Sequence, residues 1–263
     1  MQPRSDTLPA TLVTGASAGL GRAMAVHAAR RAGTLVLVAR GADGLAQTQA
    51  AVAEAGGRAL CLPLDLTAPD AGETIEAFLA EHGLHCHVLV NNAGFGLMGR
   101  AAEAPRERLV ALVDLNVRSL VDLTLRFLPG MLARRSGGVV MMGSISGWTP
   151  GPGMAAYYAS KAFVSSFSQA LWQETRGGGV TVTCVAPGPV RTEFFAKAQA
   201  RQARLFRLLP KISPEDVAAA GWRGFDAGRR MVVPGLTAKL TVLAMMLTPQ
   251  RLSLRLVARL QRT

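Results

Sequence analysis

Short apolar runs alternate with longer stretches of helical periodicity along most of the chain. Residues 10–14, 34–39, 60–64, 88–90, 139–142 and 180–185 are rich in Val, Leu and Thr. Each run is short and bounded by Gly, Asn, Asp or Arg, so each reads as a strand, with 231–233 a candidate seventh. Unbroken rather than alternating apolarity, clearest at 34–39, predicts burial on both faces of the sheet. Between the runs, helical spacing predicts helices following Gly21 through Ala32, over 45–55, over 74–82, over about 106–135 with a bend near Pro129, and over 156–176. Strands alternating with helices at this spacing imply an α/β fold with a doubly wound parallel sheet and right-handed crossovers.

The chain has 263 residues, 49% hydrophobic and 5% aromatic. That suits one large domain with a core of Ala, Val and Leu, and leaves room for a small C-terminal extension. Cys61, Cys86 and Cys184 are an odd number scattered in apolar runs, which fits buried free thiols in a reducing compartment, hence the cytoplasm. The first nine residues are polar and lack an apolar signal core, so no N-terminal leader is expected. The net charge of +12 is unevenly placed: residues 197–263 hold 13 Lys and Arg against 3 Asp and Glu, while residues 1–196 are nearly balanced. Without aromatic interleaving or a nucleic-acid motif, this basic region predicts no nucleic-acid partner. His82, His85, Cys86 and His87 lack the spacing of a zinc pattern, and no metal is expected.

Candidate chemistry begins at the first strand, which opens onto Gly15, Gly19 and Gly21. Backbone N–H groups and the dipole of the helix that follows favour a pyrophosphate there, and glycine permits close approach. The spacing is G-x-x-x-G-x-G rather than the commoner G-x-G-x-x-G. The second strand ends at Arg40, where an acid would bind the ribose of NAD and an arginine can take the 2′-phosphate of NADP. A solvated surface arginine is the alternative. Tyr157 and Lys161 are four apart, so on a helix they share a face. A nearby ammonium should ease ionisation of the phenol and suit it to proton transfer. Tyr158 is turned about 100° away and should pack.

Taken together with Ser144, these motifs resemble the short-chain dehydrogenase/reductase family across residues 8–195. Thr14-Gly15-Ala16-Ser17-Ala18-Gly19-Leu20-Gly21 matches its cofactor loop, Asp65 its adenine contact, and Asn91-Asn92-Ala93-Gly94 the motif that supports the sheet and passes the cofactor. Asn116, Ser144, Tyr157 and Lys161 match its catalytic tetrad in order and spacing. Pro187-Gly188, with Val190 and Thr192, matches the segment that receives the nicotinamide end. The resemblance implies a Rossmann-type domain over residues 1–234 and hydride transfer between NADP(H), with NAD less favoured, and a small carbonyl or alcohol substrate. It further implies Tyr157 as general acid in reduction, Ser144 as a hydrogen-bond donor to the substrate oxygen, Lys161 as the group that tunes the phenol and holds the ribose, and Asn116 as the holder of a relay water. Homo-oligomers through the long helices around Leu112 and Phe167 are also implied. A redox-sensing or scaffolding protein that binds the cofactor without turnover is the alternative, against which the intact tetrad argues.

Phe95, Trp148, Met154, Phe194 and Phe195 flank the reactive motifs and are candidates for an apolar substrate pocket, or for plain core. Residues 235–263 form an apolar and basic extension. Its first half is almost continuously apolar up to Pro249, beyond which Arg251, Arg255, Arg259 and Arg262 recur beside Leu252, Leu256 and Leu260. Such a basic amphipathic helix suits a membrane surface or a partner groove. The alternative is a hairpin folded over the pocket or a subunit interface. The run is too short to span a bilayer.

Overall fold

The computed structural model describes residues 7–31, 33–192, 194 and 210–260. Seven strands form one sheet: β1 (Leu8–Thr14), β2 (Thr34–Ala39), β3 (Arg58–Pro63), β4 (Leu84–Asn91), β5 (Gly138–Met142), β6 (Thr181–Val185) and β7 (Met231–Val232). All pairings are parallel and the order is β3-β2-β1-β4-β5-β6-β7. The winding direction reverses between β1 and β4, and in open α/β sheets ligands bind at the carboxyl ends of the strands beside such a reversal.

Successive residues along the strands point to opposite faces, and two separate cores result. Val13, Leu35, Leu37, Val140 and Met142 face one layer, where they meet α1 (Gly19–Ala28), α2 (Ala42–Glu54) and α7 (Pro214–Asp226). Leu12, Val36, Val38, Val139 and Met141 face the other, against α3 (Ala71–Glu81), α5 (Ser119–Arg134) and α6 (Ala155–Glu174). Both sets are buried, which is why β2 reads as a continuous apolar run. On the first layer the indole of Trp222 donates to the Met24 carbonyl at 3.1 Å, tying α7 to α1.

Several boundaries differ from expectation. Helix α1 stops at Ala28 rather than continuing to Ala32, a residue that lies outside the described ones. Strand β4 begins at Leu84, because Leu84 and Cys86 point inward while His85 and His87 lie half-buried on the other face. Helix α7 was not anticipated, although Ser213-Pro214-Glu215-Asp216 carries its start signal: Ser213 Oγ accepts from Asp216 N at 3.0 Å, with Pro214 in the first turn. The long helix expected over 106–135 is interrupted not at Pro129, which sits inside α5, but by a π-helical turn at Asp114–Arg118 that follows α4 (Arg106–Val113). Leu112 is fully buried in its own chain and cannot face a second copy. The outward apolar residues of this region are Val110, Val113, Leu125, Leu132 and Phe163, the last stacked on Phe167.

The extension is helical. Helix α8 (Leu236–Leu247) packs Ala238 and Val242 against Ile145, Trp148 and Val233. Helix α9 (Gln250–Leu260) buries Ser253 and Val257. The inner side of this hairpin therefore belongs to the domain, as the folded-over reading required. No helix among the described residues is long and apolar enough to cross a membrane. Arg262 lies outside the described residues.

Candidate active site

The sheet delivers the motif residues to one edge. The loop after β1 turns at Gly15 and Gly19, both at positive φ (64° and 55°), a region glycine enters without steric cost. A side chain at Gly15 would lie 2.8 Å from Asn92 Nδ2, and one at Gly21 would run into the Gly15 carbonyl oxygen. The loop is thus packed backbone to backbone as it enters the N-terminus of α1. Thr14 locks it to the neighbouring strand: its hydroxyl accepts from the N–H groups of Asn92 and Ala93 at 3.0 Å each and donates to the Val90 carbonyl at 3.1 Å. Asn92 Nδ2 donates to the Thr14 carbonyl at 2.8 Å. At the end of the same neighbouring strand, Asn91 Nδ2 donates to Thr124 Oγ1 at 2.9 Å and anchors α5.

Ser17 and Leu20 are half-buried in this loop, and the Ser17 carbonyl accepts from Arg22 Nη2 at 2.8 Å. Arg40 is exposed at the end of β2. Asp65, exposed after β3, accepts at Oδ1 from the backbone and hydroxyl of Thr67 at 2.9 and 2.8 Å. Those bonds, helped by the charge of Arg40, hold its carboxyl below the ordinary range. On the other flank Pro187 and Val190 are buried, the Pro187 carbonyl accepts from Ile145 N at 3.1 Å, and Thr192 Cγ2 closes against Gly19. Backbone N–H groups at a helix N-terminus, with an exposed arginine and an exposed carboxylate after the neighbouring strands, make an edge of the kind that takes a dinucleotide.

Ser144, Tyr157 and Lys161 meet at the carboxyl end of β5, all buried. Ser144 caps a 3-10 turn at Ile145–Trp148, its Oγ accepting from Ser146 N at 3.1 Å, and it hydrogen-bonds the Tyr157 hydroxyl. Lys161 donates to the Met142 carbonyl at 2.8 Å, with Nζ 5.9 Å from the Tyr157 ring centroid. Burial lowers this ammonium to about 8, opposed by Cys184 beside it. Burial likewise pushes the Tyr157 phenol well above its ordinary value; Tyr158 adds to the rise and the Ser144 bond opposes it. Burial of the phenol therefore outweighs the easing of its ionisation expected from Lys161. The ammonium is turned to a carbonyl, and desolvation wins. The shift keeps the Tyr157 phenol in its protonated form at neutral pH.

Asn116 lies in the π-helical turn and is buried. Its Oδ1 accepts from Phe95 N at 3.0 Å, and its Nδ2 donates to Phe95 O at 3.0 Å and Ser160 Oγ at 3.1 Å. The side chain thus ties the segment after Gly94 to the Tyr157 helix. Gly94 is obligatory here, since a Cβ would sit 2.9 Å from Asn116 Oδ1. The π turn has no local sequence signature, yet such turns recur at functional positions.

Of the five apolar candidates, Phe95, Met154 and Phe194 gather around Tyr157 with Leu97 and Val257. The Phe194 ring lies 5.4 Å from that of Tyr157. Trp148 instead packs under α8, and Phe195 lies outside the described residues. Among the described residues no group of three or more His, Cys, Asp and Glu side chains could hold a metal ion. His85 is taken up by Thr7, whose Oγ1 lies 3.0 Å from its Nδ1.

A nucleotide edge beside a buried Ser–Tyr–Lys cluster defines an NAD(P)-dependent oxidoreductase. A family model described as short chain dehydrogenase matches residues 9–203, and the chain belongs to that dehydrogenase/reductase family. An uncharacterized oxidoreductase of Myxococcus xanthus is 39% identical, over 70% of this chain and 73% of the relative. A sulfoacetaldehyde reductase of Chromohalobacter salexigens is 36% identical, over 78% and 83%. A short-chain dehydrogenase from Sphingobium yanoikuyae, solved in complex with NADPH, superposes with a TM-score of 0.79 at 33% identity, covering 90% of this chain and 92% of that one.

Proposed function

We propose that the protein is an NADP(H)-dependent reductase of aldehydes or ketones, or a secondary-alcohol dehydrogenase in reverse, acting on a largely apolar substrate. The observation that carries this reading is the buried Tyr157 side chain, hydrogen-bonded to Ser144 and packed in one apolar cluster with Phe95, Met154 and Phe194. Bound nicotinamide supplies or accepts the hydride. In reduction Tyr157 gives its proton to the substrate oxygen, to which Ser144 Oγ donates a second hydrogen bond. Lys161, held at the Met142 carbonyl, places positive charge below the phenol and stabilises the phenolate left behind. Asn116 holds the Phe95 segment and Ser160, and so positions both the apolar wall and the Tyr157 helix.

NADP(H) is favoured over NAD(H) because Arg40 is exposed where the 2′-phosphate would lie, and the strand end carries no acid to repel it. The NADPH bound by the Sphingobium yanoikuyae relative supports the same choice. The exposed apolar side chains of Val110, Val113, Leu125, Leu132 and Phe163 on α4, α5 and α6 leave these helices open to a second copy. The three free thiols fit a cytoplasmic site of action.

The test is a screen of carbonyl compounds, from short aldehydes to ketosteroids and 3-ketoacyl compounds, following loss of NADPH absorbance. Tyr157→Phe should lower kcat/KM by about 10²–10⁴-fold while leaving NADPH affinity within a few-fold, and Tyr158→Phe should be mild. An active Tyr157→Phe enzyme would remove the assignment.

A further inference from the structure

We propose that the outward faces of α8 and α9 form a docking surface for an anionic lipid bilayer. Thirteen large hydrophobic side chains are exposed among the described residues, and seven of them fall in the hairpin: Leu236, Leu240, Leu243, Met246, Leu247, Leu252 and Leu256. Scattered single residues of this kind need no explanation, but a concentrated patch does. At about 100° per residue, Leu236, Leu240, Leu243 and Leu247 fall on one stripe of α8, opposite Ala238 and Val242, which face the domain. Leu247 is 75% exposed and Leu236 72%. This helix is apolar over most of its circumference, and its larger side chains are turned to solvent.

The hairpin is not simply an undocked flap. Ala238, Val242 and Val257 are buried against the domain, and Thr149 Oγ1 donates to Ser253 Oγ at 3.3 Å. Its contacts with the protein are already made on the other side.

Charge selects the occupant. From residue 227 onward the sequence contains no Asp or Glu, and holds Arg229, Arg230, Lys239, Arg251, Arg255, Arg259 and Arg262. Lys239, Arg251, Arg255 and Arg259 are exposed on the hairpin itself. A two-fold contact would lay this patch on its own copy and bring like charges together. An anionic headgroup layer offers the opposite charge, with an apolar layer beneath it for the leucines. Helix α8, at about 18 Å, lies in the interface rather than across a core of about 30 Å.

Co-sedimentation of the full chain with vesicles tests this without reference to catalysis. The protein should pellet with phosphatidylglycerol-containing vesicles at low salt and stay in solution with pure phosphatidylcholine. A fraction of the binding should survive high salt, because apolar burial is not screened. Arg251→Gln, Arg255→Gln and Arg259→Gln together should weaken partition on the order of a hundredfold, at about fivefold for each arginine. Leu240→Ser, Leu243→Ser and Leu247→Ser together should abolish the salt-resistant fraction. If either triple variant fails to fold, the lipid and salt series on the parent protein decides. The proposal is overturned if the parent stays in the supernatant with anionic vesicles at low salt, or if salt removes all binding. It is equally overturned if the leucine variant breaks an oligomer seen by light scattering while vesicle binding is unchanged, which would make this face a contact between copies.

Discussion

Replacing Lys161 by Met should abolish turnover and make the nucleotide-free protein more stable. Lys161 is 7% exposed, and its ammonium donates to the Met142 carbonyl at 2.8 Å. Burial takes it from 10.5 to about 8. At about 1.4 kcal/mol per pH unit, the charged form costs about 3 kcal/mol of folding stability at neutral pH. Methionine keeps an unbranched chain of similar length and removes the charge, at the loss of a hydrogen bond contributing about 1–2 kcal/mol. The net gain of about 1–2 kcal/mol corresponds to a melting rise of roughly 2–6 °C for a domain of this size. The sign of the pH dependence follows from the same values. Folded Lys161 releases its proton near pH 8 and the unfolded chain holds it to about 10.5, so in that window the unfolded state binds more protons and stability of the parent rises with pH. The advantage of Lys161→Met should therefore be full at about pH 7 and close to zero by about pH 9.5. Calorimetric melts of both proteins, without nucleotide, at these two pH values read the difference directly. A variant that melts at or below the parent at neutral pH, or a pH-independent gap, would refute the desolvation argument.

Three further outcomes are expected. Arg40→Asp should weaken NADP binding by about 10–100-fold and leave NAD binding within a few-fold; equal loss of both in titrations would show that Arg40 does not read the 2′-phosphate. Thr14→Val strands the Ala93 N–H, while the Asn92 N–H and the Val90 carbonyl keep their bond to each other at 3.0 Å, so urea unfolding should show a loss of about 1–3 kcal/mol; under about 0.5 kcal/mol would mean the lock is dispensable. Gly94→Ala puts a methyl 2.9 Å from Asn116 Oδ1 and should lower kcat about 10–100-fold through misplacement of the Phe95 segment; unimpaired turnover would show that Asn116 positions nothing.

The sheet was legible because parallel strands buried on both faces leave unbroken apolar runs, and because the loops that follow them carry Gly15, Asn92, Ser144 and Pro187 in the order the fold requires. Where a strand has one half-polar face, as His85 and His87 give β4, the run is disguised and its first half is missed. The π-helical turn at Asn116 was invisible for a different reason. Asn116 within it is held by long-range bonds to Phe95 and Ser160, partners that no local pattern in Asp114–Arg118 announces. The protonation of Tyr157 belongs to the same class. Spacing put Lys161 beside it, but only the three-dimensional packing shows the ammonium turned to Met142 and the phenol enclosed by apolar rings.

The hairpin shows the limit of periodicity most sharply. Periodicity states which residues share a face and leaves open which way that face turns. In α9 the usual assignment would bury Leu252 and Leu256 and expose Ser253. The structure does the reverse, leaving the leucines 57% and 53% exposed and Ser253 at 7%. Two interactions set the rotation: Thr149 meets Ser253, and Val257 enters the apolar cluster around Tyr157. Turning α9 so as to bury Leu252 and Leu256 would forfeit both and carry Arg255 or Arg259, their neighbours on that face, toward the domain, where an unpaired guanidinium costs several kcal/mol on the order of magnitude of other buried charges. The outward leucines are thus the consequence of keeping the arginines in solvent and Val257 in the apolar cluster around Tyr157.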